Sequence, residues 1–316
     1  MNDDNDTKLE AEYIPRHAKI YQVPDYIEKK SANSEQNKEV RIIKRRKRRR
    51  PKKWVWKGLL VVAAFITVFS IVKIILWIND NHKISKIVDN INENTEIIET
   101  EDDENTKLIN EDEDTSSDYW YYITFPLIDV DFTNLKSINS DTVGWINVNN
   151  TNINYPFVQY KDNDFYLNHS FDRSYNEAGW VFMDYRNSSD LDNKNTILYA
   201  HSRLDKTMFG SLSKTLKQSW YSNKDNHIIR LSTEKENTLW QIFSVYKIEE
   251  ESYYITTKFN SDTAYQNFLD TIKERSLYDF HTNLTVNDRI LTLSTCYSDT
   301  ERTVVHAKLI KQSIRT

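Results

Sequence analysis

Hydrophobic and polar positions fall into four regimes along this chain. Residues 1–53 are polar, show neither helical nor strand periodicity, and read as a flexible tail. The stretch 58–72 is almost wholly apolar, and with Trp54 and Ile78 at its limits the span reaches 25 residues. That is long enough for one helix to cross a bilayer core of roughly 30 Å. Residues 79–118 are polar again, with Ile84, Ile87, Val88, Ile91 and Ile98 placed to continue a short helix. From Tyr119 onward, dense aromatics and short alternating runs take over. Strands are expected over 144–148 and 153–158, flanking an Asn-Asn-Thr-Asn turn, then over 180–183, 196–200, 227–231, 238–248, 289–294 and 303–310. Helical patterns are expected over 132–138, over 208–216, and along the stripe Ala264, Phe268, Leu269 and Ile272. Many short strands with few helices predict a mainly β domain closed as a barrel.

Charge sharpens these boundaries. The whole chain carries a formal −5, but residues 1–57 hold 17 Lys and Arg against 9 Asp and Glu, whereas 79–118 hold 3 against 14. Arg41, the run 44–50, Lys52 and Lys53 stand directly before the apolar span. Excess Lys and Arg stays on the cytoplasmic side, so the amino terminus is expected inside and residues 79–316 outside. Trp54, Trp56 and Trp77 suit the two headgroup layers, and Lys73 can snorkel outward. The span starts late and no small-residue cleavage site follows it, which favours an uncleaved anchor over a signal peptide. Beside such a span the basic run reads as a topology signal and an attraction to anionic lipid, not as a nucleic-acid site. Past Glu99 the acidic density predicts an extended, self-repelling stalk. The expected organisation is therefore a basic cytoplasmic tail (1–53), a transmembrane anchor (54–78), an acidic stalk (79–118) and one folded domain (119–316).

Composition removes several chemistries. Only 4 of 316 residues are glycine, and neither GxGxxG nor GxxxxGK[ST] occurs, so no phosphate-cradling loop is expected. One cysteine excludes an internal disulfide and a multi-cysteine metal centre. No metal and no cofactor are expected, since the acidic residues show no ligand spacing. That lone thiol, Cys296, ends the alternating segment 291–295 and so caps a strand, either as a nucleophile aimed by a rigid element or as a small buried hydrophobe. A thiol is mostly protonated near neutral pH and needs a proton acceptor to act. Among the seven histidines, His17 and His82 fall outside the folded domain, leaving His169, His201, His227, His281 and His306. His201 also ends an apolar strand, whereas His306 alternates within the last one, where a structural role fits better. Arg302 opens the strand after Cys296 and is either a solvated charge or a donor to a developing oxyanion.

At these residues the chain resembles a known family. LTLSTC at 291–296, followed by RTVVHAKLI at 302–310, is similar to the signature of sortases, in particular class B. DTVGWI (141–146), TNINYPFVQ (151–159), DNDFYLNHSF (162–171), GWVFMDYRN (179–187) and TILYAHS (196–202) agree in order. The resemblance spans about residues 120–312. It implies an eight-stranded sortase-type β-barrel with amino-terminal helices and a helix near 261–276 before the cysteine strand. It also implies Cys296 as nucleophile, His201 as acid and base, and Arg302 as the group that orients substrate and stabilises the oxyanion. Ser294, Thr295 and Tyr297 are expected to line the peptide groove. The implied reaction is transpeptidation: a sorting motif near the carboxyl end of a secreted protein is cleaved after threonine and joined to an amine. That amine belongs to a peptidoglycan cross-bridge or its lipid-linked precursor, or, in a pilin polymerase, to a pilin lysine. Outside the family, a secreted cysteine peptidase or amidase would release the acyl group to water, and a membrane-tethered adhesin would lack chemistry altogether.

Overall fold

The computed structural model describes residues 52–109, 117–249, 251–296 and 301–315, with Cys296 described through its backbone. Most of the expected tail, the acidic run 110–116 and Tyr297 lie outside the described residues. The chain divides into two units between Gly58 and Leu59, and of the first only 52–58 are described.

A single helix, α1 (Lys53–Asn94, 42 residues), runs through the apolar span and beyond it. It is long and apolar enough to cross a membrane. Up to Ile78 its apolar side chains are exposed on all sides, as at Phe65 and Trp77. Beyond that point only a stripe is apolar: Ile84 and Ile91 are buried and Ile87 and Val88 partly so, packed on the main core. A spacing of three and four residues places these four on one helical face.

Two short strands follow, β1 (Ile97–Thr100) and β2 (Thr106–Leu108), then α2 (Ser117–Tyr122), β3 (Leu127–Val130) and α3 (Thr133–Ile138). The body of the domain is built from β4 (Thr142–Val148), β5 (Asn154–Gln159), β6 (Phe182–Met183), β7 (Asn195–His201), α4 (Gln218–Tyr221), β8 (Ile228–Ser232), β9 (Glu236–Glu249), α5 (Asp262–Glu274), β10 (Ile290–Cys296) and β11 (Glu301–Ile314). The sheet order is β10-β7-β6-β5-β4-β8-β9-β11, and β11 pairs back onto β10, closing a barrel of eight strands. Closure pairs the two edge strands with each other, and the end of β11 that runs past β10 is covered by β2.

Most strands are buried on both faces. In β9 the register shifts opposite His306 and Ala307, a bulge at Phe243. Ile242 and Val245 consequently enter the barrel core while Phe243 and Tyr246 face outward. The outward set is covered by α5, whose Tyr265, Phe268, Leu269 and Ile272 pack on Phe243, Tyr246, Ile248, Ile290 and Val304. Ser261 caps this helix, its hydroxyl accepting from the Ala264 N–H at 3.1 Å. The helix expected over 261–276 is therefore present, and its buried stripe fixes where the cysteine strand begins.

One expectation is refined and one corrected. The helical segment expected over 208–216 is present as a 3-10 helix over Phe209–Leu216, whose buried Phe209, Leu212 and Thr215 repeat every third residue. The acidic segment past Glu99 is not free along its described length. β1 pairs antiparallel with β3, and β2 pairs antiparallel with β11 beyond the reach of β10. Repulsion is relieved locally, because the Lys311 Nζ, itself buried, donates to the Asp102 carboxylate at 2.7 Å. Net charge gave no sign of this, since the compensating lysine lies some two hundred residues away in sequence.

Candidate active site

β7 and β10 are parallel neighbours, and their register ends with Cys296 opposite His201. Two segments almost a hundred residues apart thus deliver a thiol-bearing and an imidazole-bearing residue to the same rim. β11 returns antiparallel to β10. At its start the Thr303 N–H donates to Thr295 Oγ1 at 2.9 Å, and Arg302 Nη1 donates to the Thr295 carbonyl at 3.3 Å. The guanidinium is thereby tied to the peptide group that immediately precedes Cys296. The structure brings Cys296, His201 and Arg302 to one end of the barrel, each set by strand pairing rather than by a loop.

The His201 ring is oriented from behind. Its Nε2 lies 2.6 Å from the Leu167 carbonyl. A carbonyl only accepts, so Nε2 carries a proton and the neutral ring keeps its lone pair on Nδ1. Leu167 ends the 3-10 turn Phe165–Leu167. Gly179 closes the arrangement, with φ of +60°. A Cβ there would lie 2.5 Å from the Tyr166 carbonyl, 2.8 Å from the Leu167 carbonyl and 3.0 Å from His201 Cδ2. Gly179 opens the GWVFMDYRN stretch that carries the family resemblance, but its place behind His201 shows only in the fold.

Ser294 and Thr295, expected to line the groove, are both buried. Ser294 Oγ meets the Tyr254 hydroxyl at 3.0 Å, and Thr295 Oγ1 is taken by Thr303. Their side chains hold β10 in place. Tyr297 lies outside the described residues.

Sequence reasoning also missed a brace on these strands. Asp184 is fully buried, accepts from the Tyr199 hydroxyl on β7 at 2.9 Å, and binds Arg186 through both oxygens at 2.8 and 2.7 Å. Arg186 Nη2 also donates to the Ile255 carbonyl at 2.9 Å, in the turn whose Tyr254 reaches Ser294. β7 and β10 are thus linked outside the barrel as well as within the sheet. Burial works to raise the Asp184 carboxyl, but the hydrogen bonds from Arg186 and Tyr199 outweigh it and hold it below the usual range. The pair is invisible in sequence because a D-x-R triplet is common and only the fold buries it.

The other histidines are engaged elsewhere. His306 is fully buried between the Tyr246 hydroxyl at 2.8 Å and Thr292 Oγ1 at 2.9 Å, and burial pushes it down to about 3. His227 sits between the Tyr122 hydroxyl and the Tyr221 carbonyl, and burial pushes it down to about 4. His169 stacks on Phe165 at 3.9 Å, and His281 is exposed beside Asp279. Among the described residues no group of three His, Cys, Asp or Glu is placed to hold a metal ion.

Comparison with known proteins agrees with this geometry. The sortase domain family model matches residues 146–310. Sortase B of Staphylococcus aureus is 46% identical over 186 residues, covering 58% of this chain and 75% of the relative. Sortase B of Listeria monocytogenes is 37% identical over 182 residues, covering 56% and 71%. Among solved structures, a Staphylococcus aureus sortase B–substrate complex is 44% identical with a TM-score of 0.54, covering 57% of this chain and 84% of that one. A sortase B-like protein of Bacillus anthracis is 42% identical with a TM-score of 0.54, covering 63% and 94%. With an eight-stranded barrel that sets a cysteine opposite a histidine at one rim, and with relatives of this similarity, the chain belongs to the sortase family, in class B, and is a cysteine transpeptidase.

Proposed function

We propose that this chain anchors secreted proteins to peptidoglycan by transpeptidation through Cys296, His201 and Arg302. The observation that carries the reading is the parallel register of β7 and β10, which ends with Cys296 opposite His201. In this scheme the Cys296 thiol loses its proton to His201 Nδ1 and attacks the carbonyl carbon of threonine in a sorting motif. The Arg302 guanidinium donates to the oxygen on which charge develops, where a fixed donor is worth most. His201, now protonated, gives the proton to the departing amine, and a thioester on Cys296 remains. An acceptor amine then attacks, His201 takes its proton, the amide forms and the thiol is restored. A thioester is open to water, so the acceptor must be held close enough to compete. One similar solved structure is sortase B complexed with triglycine, and a glycine amine fits the acceptor role proposed for a cross-bridge.

The same reading makes the first part of α1 a membrane anchor, with the basic tail inside and the domain outside. It is supported by the apolar run to Ile78 and by the Lys and Arg cluster just before it. Two experiments test the proposal. Cys296→Ala should abolish the covalent peptide adduct while leaving the fold intact, and turnover surviving in that variant would end the catalytic assignment. Protease added to intact cells should remove the folded domain, whereas its protection would mean the orientation is reversed.

A further inference from the structure

The helix that leaves the apolar span does not point the domain away at random; it lies along the barrel. Its first docked contacts are at the catalytic rim. Asn81 Oδ1 accepts from the Arg203 guanidinium, two residues after His201, and the Asp80 carbonyl accepts from Asn176 Nδ2 at 3.3 Å. Its last contacts are at the opposite rim. There the Asn94 carbonyl accepts from Asn134 Nδ2 at 3.3 Å, and the Glu96 carbonyl accepts from the Asp131 N–H at 3.3 Å. Those residues adjoin Val130, whose carbonyl shares the Arg315 guanidinium with that of Thr233 in the β8–β9 hairpin. Strand directions agree: β7 and β10 end at the first rim, while β8 ends and β9 begins at the second.

The fully apolar part of α1 ends at Ile78, three residues before Asn81. At a rise of about 1.5 Å per residue, Arg203 therefore sits roughly 5 Å along the helix from the last membrane-compatible turn. That is about the depth of one headgroup layer, since a bilayer of ~40–45 Å has a core of ~30 Å. The loop after His201 presents Leu204, 91% exposed, followed by Asp205 and Lys206. Tyr175, next to Asn176, is 61% exposed. Two exposed apolar side chains thus flank the point where the helix leaves its apolar span, each beside a residue that hydrogen-bonds the helix.

We propose that the catalytic rim faces the membrane, with Leu204 and Tyr175 seated in the lipid headgroup interface as a second contact beside the anchor. This rests on the anchoring role of α1. The surface adjoins the exposed apolar helix across residues 79–81, and its occupant is the bilayer that the helix crosses. The docked stretch of α1, held by Ile84 and Ile91 in the core, keeps the rim at that height. Peptide and amine then meet Cys296 and His201 close to the lipid surface, not on the far side of the barrel.

The test uses the full chain in vesicles of phosphatidylcholine and phosphatidylglycerol. Cys296→Ala frees the protein of its own thiol, and single reporters are placed by Ile66→Cys, Leu204→Cys or Lys235→Cys, each carrying an environment-sensitive fluorophore. Leu204 and Lys235 are exposed, so neither change disturbs packing. Nitroxide lipids labelled deep in the acyl chain or at the headgroup serve as quenchers. Expected is a loss of most fluorescence at position 66 with deep quenchers, the same at 204 with headgroup quenchers, and none at 235. Quenching at 66 with position 204 as bright as 235 overturns this proposal and leaves the anchor standing. No quenching at 66 overturns the anchor, and the proposal with it.

Discussion

At the scale of single residues, the site depends on groups that hold other groups. Gly179 is the clearest case, because any side chain there meets the Tyr166 carbonyl, the Leu167 carbonyl that accepts from His201, and the ring itself. Its positive φ adds strain for any other residue, on the order of 1–3 kcal/mol. Gly179→Ala should therefore lower kcat by about tenfold or more, a factor that corresponds to about 1.4 kcal/mol, with circular dichroism unchanged. An unaltered kcat would show that His201 is not positioned from that side. Arg302→Ala should reduce turnover by on the order of 10²–10³-fold, the usual loss for a removed oxyanion donor, while peptide affinity changes little. Equal losses in both would make Arg302 a binding group instead. Cys296, His201 and Arg302 were legible in sequence because each sits at a strand end beside a recognisable motif. Gly179, Asp184 and Arg186 were not, since their roles arise only when the 165–186 segment packs behind β7.

At the scale of elements, periodicity served well wherever one face was buried and the period was uniform. The stripe on α5 is of that kind; β7, β10 and β11 are buried on both faces and showed instead as short apolar, β-branched runs. It failed to tell the helix type at 208–216, where apolar residues are compatible with both three and 3.6 residues per turn and the helix is 3-10. It failed again at β1 and β2, which are too short to show a pattern and are held by partners far along the chain. α5 carries a measurable share of stability. Leu269 is fully buried, so Leu269→Ala should cost about 2–5 kcal/mol. A urea midpoint close to that of the parent would mean the helix is not integral to the barrel wall.

At the scale of the whole molecule, two neutral histidines make stability depend on pH. His306 and His227 are pushed down to about 3 and about 4 by burial, against roughly 6.5 in the unfolded chain. Between those values the unfolded chain binds protons that the folded one refuses, so stability is complete above pH ~6.5 and is lost as pH falls toward 4. Each histidine contributes about 1.4 kcal/mol per pH unit within that window. Urea midpoints should drop between pH 7 and pH 5, and an equal or higher midpoint at pH 5 would contradict the buried, neutral state.

The central claim is acyl transfer through Cys296, and intact-protein mass spectrometry tests it most directly. The full chain is incubated with a library of sorting-motif pentapeptides, with and without a panel of amines. Acyl transfer predicts a thioacyl adduct on Cys296 that converts to amide product only when an amine is present. Efficient release to water regardless of amine, or no adduct with any peptide, would contradict it.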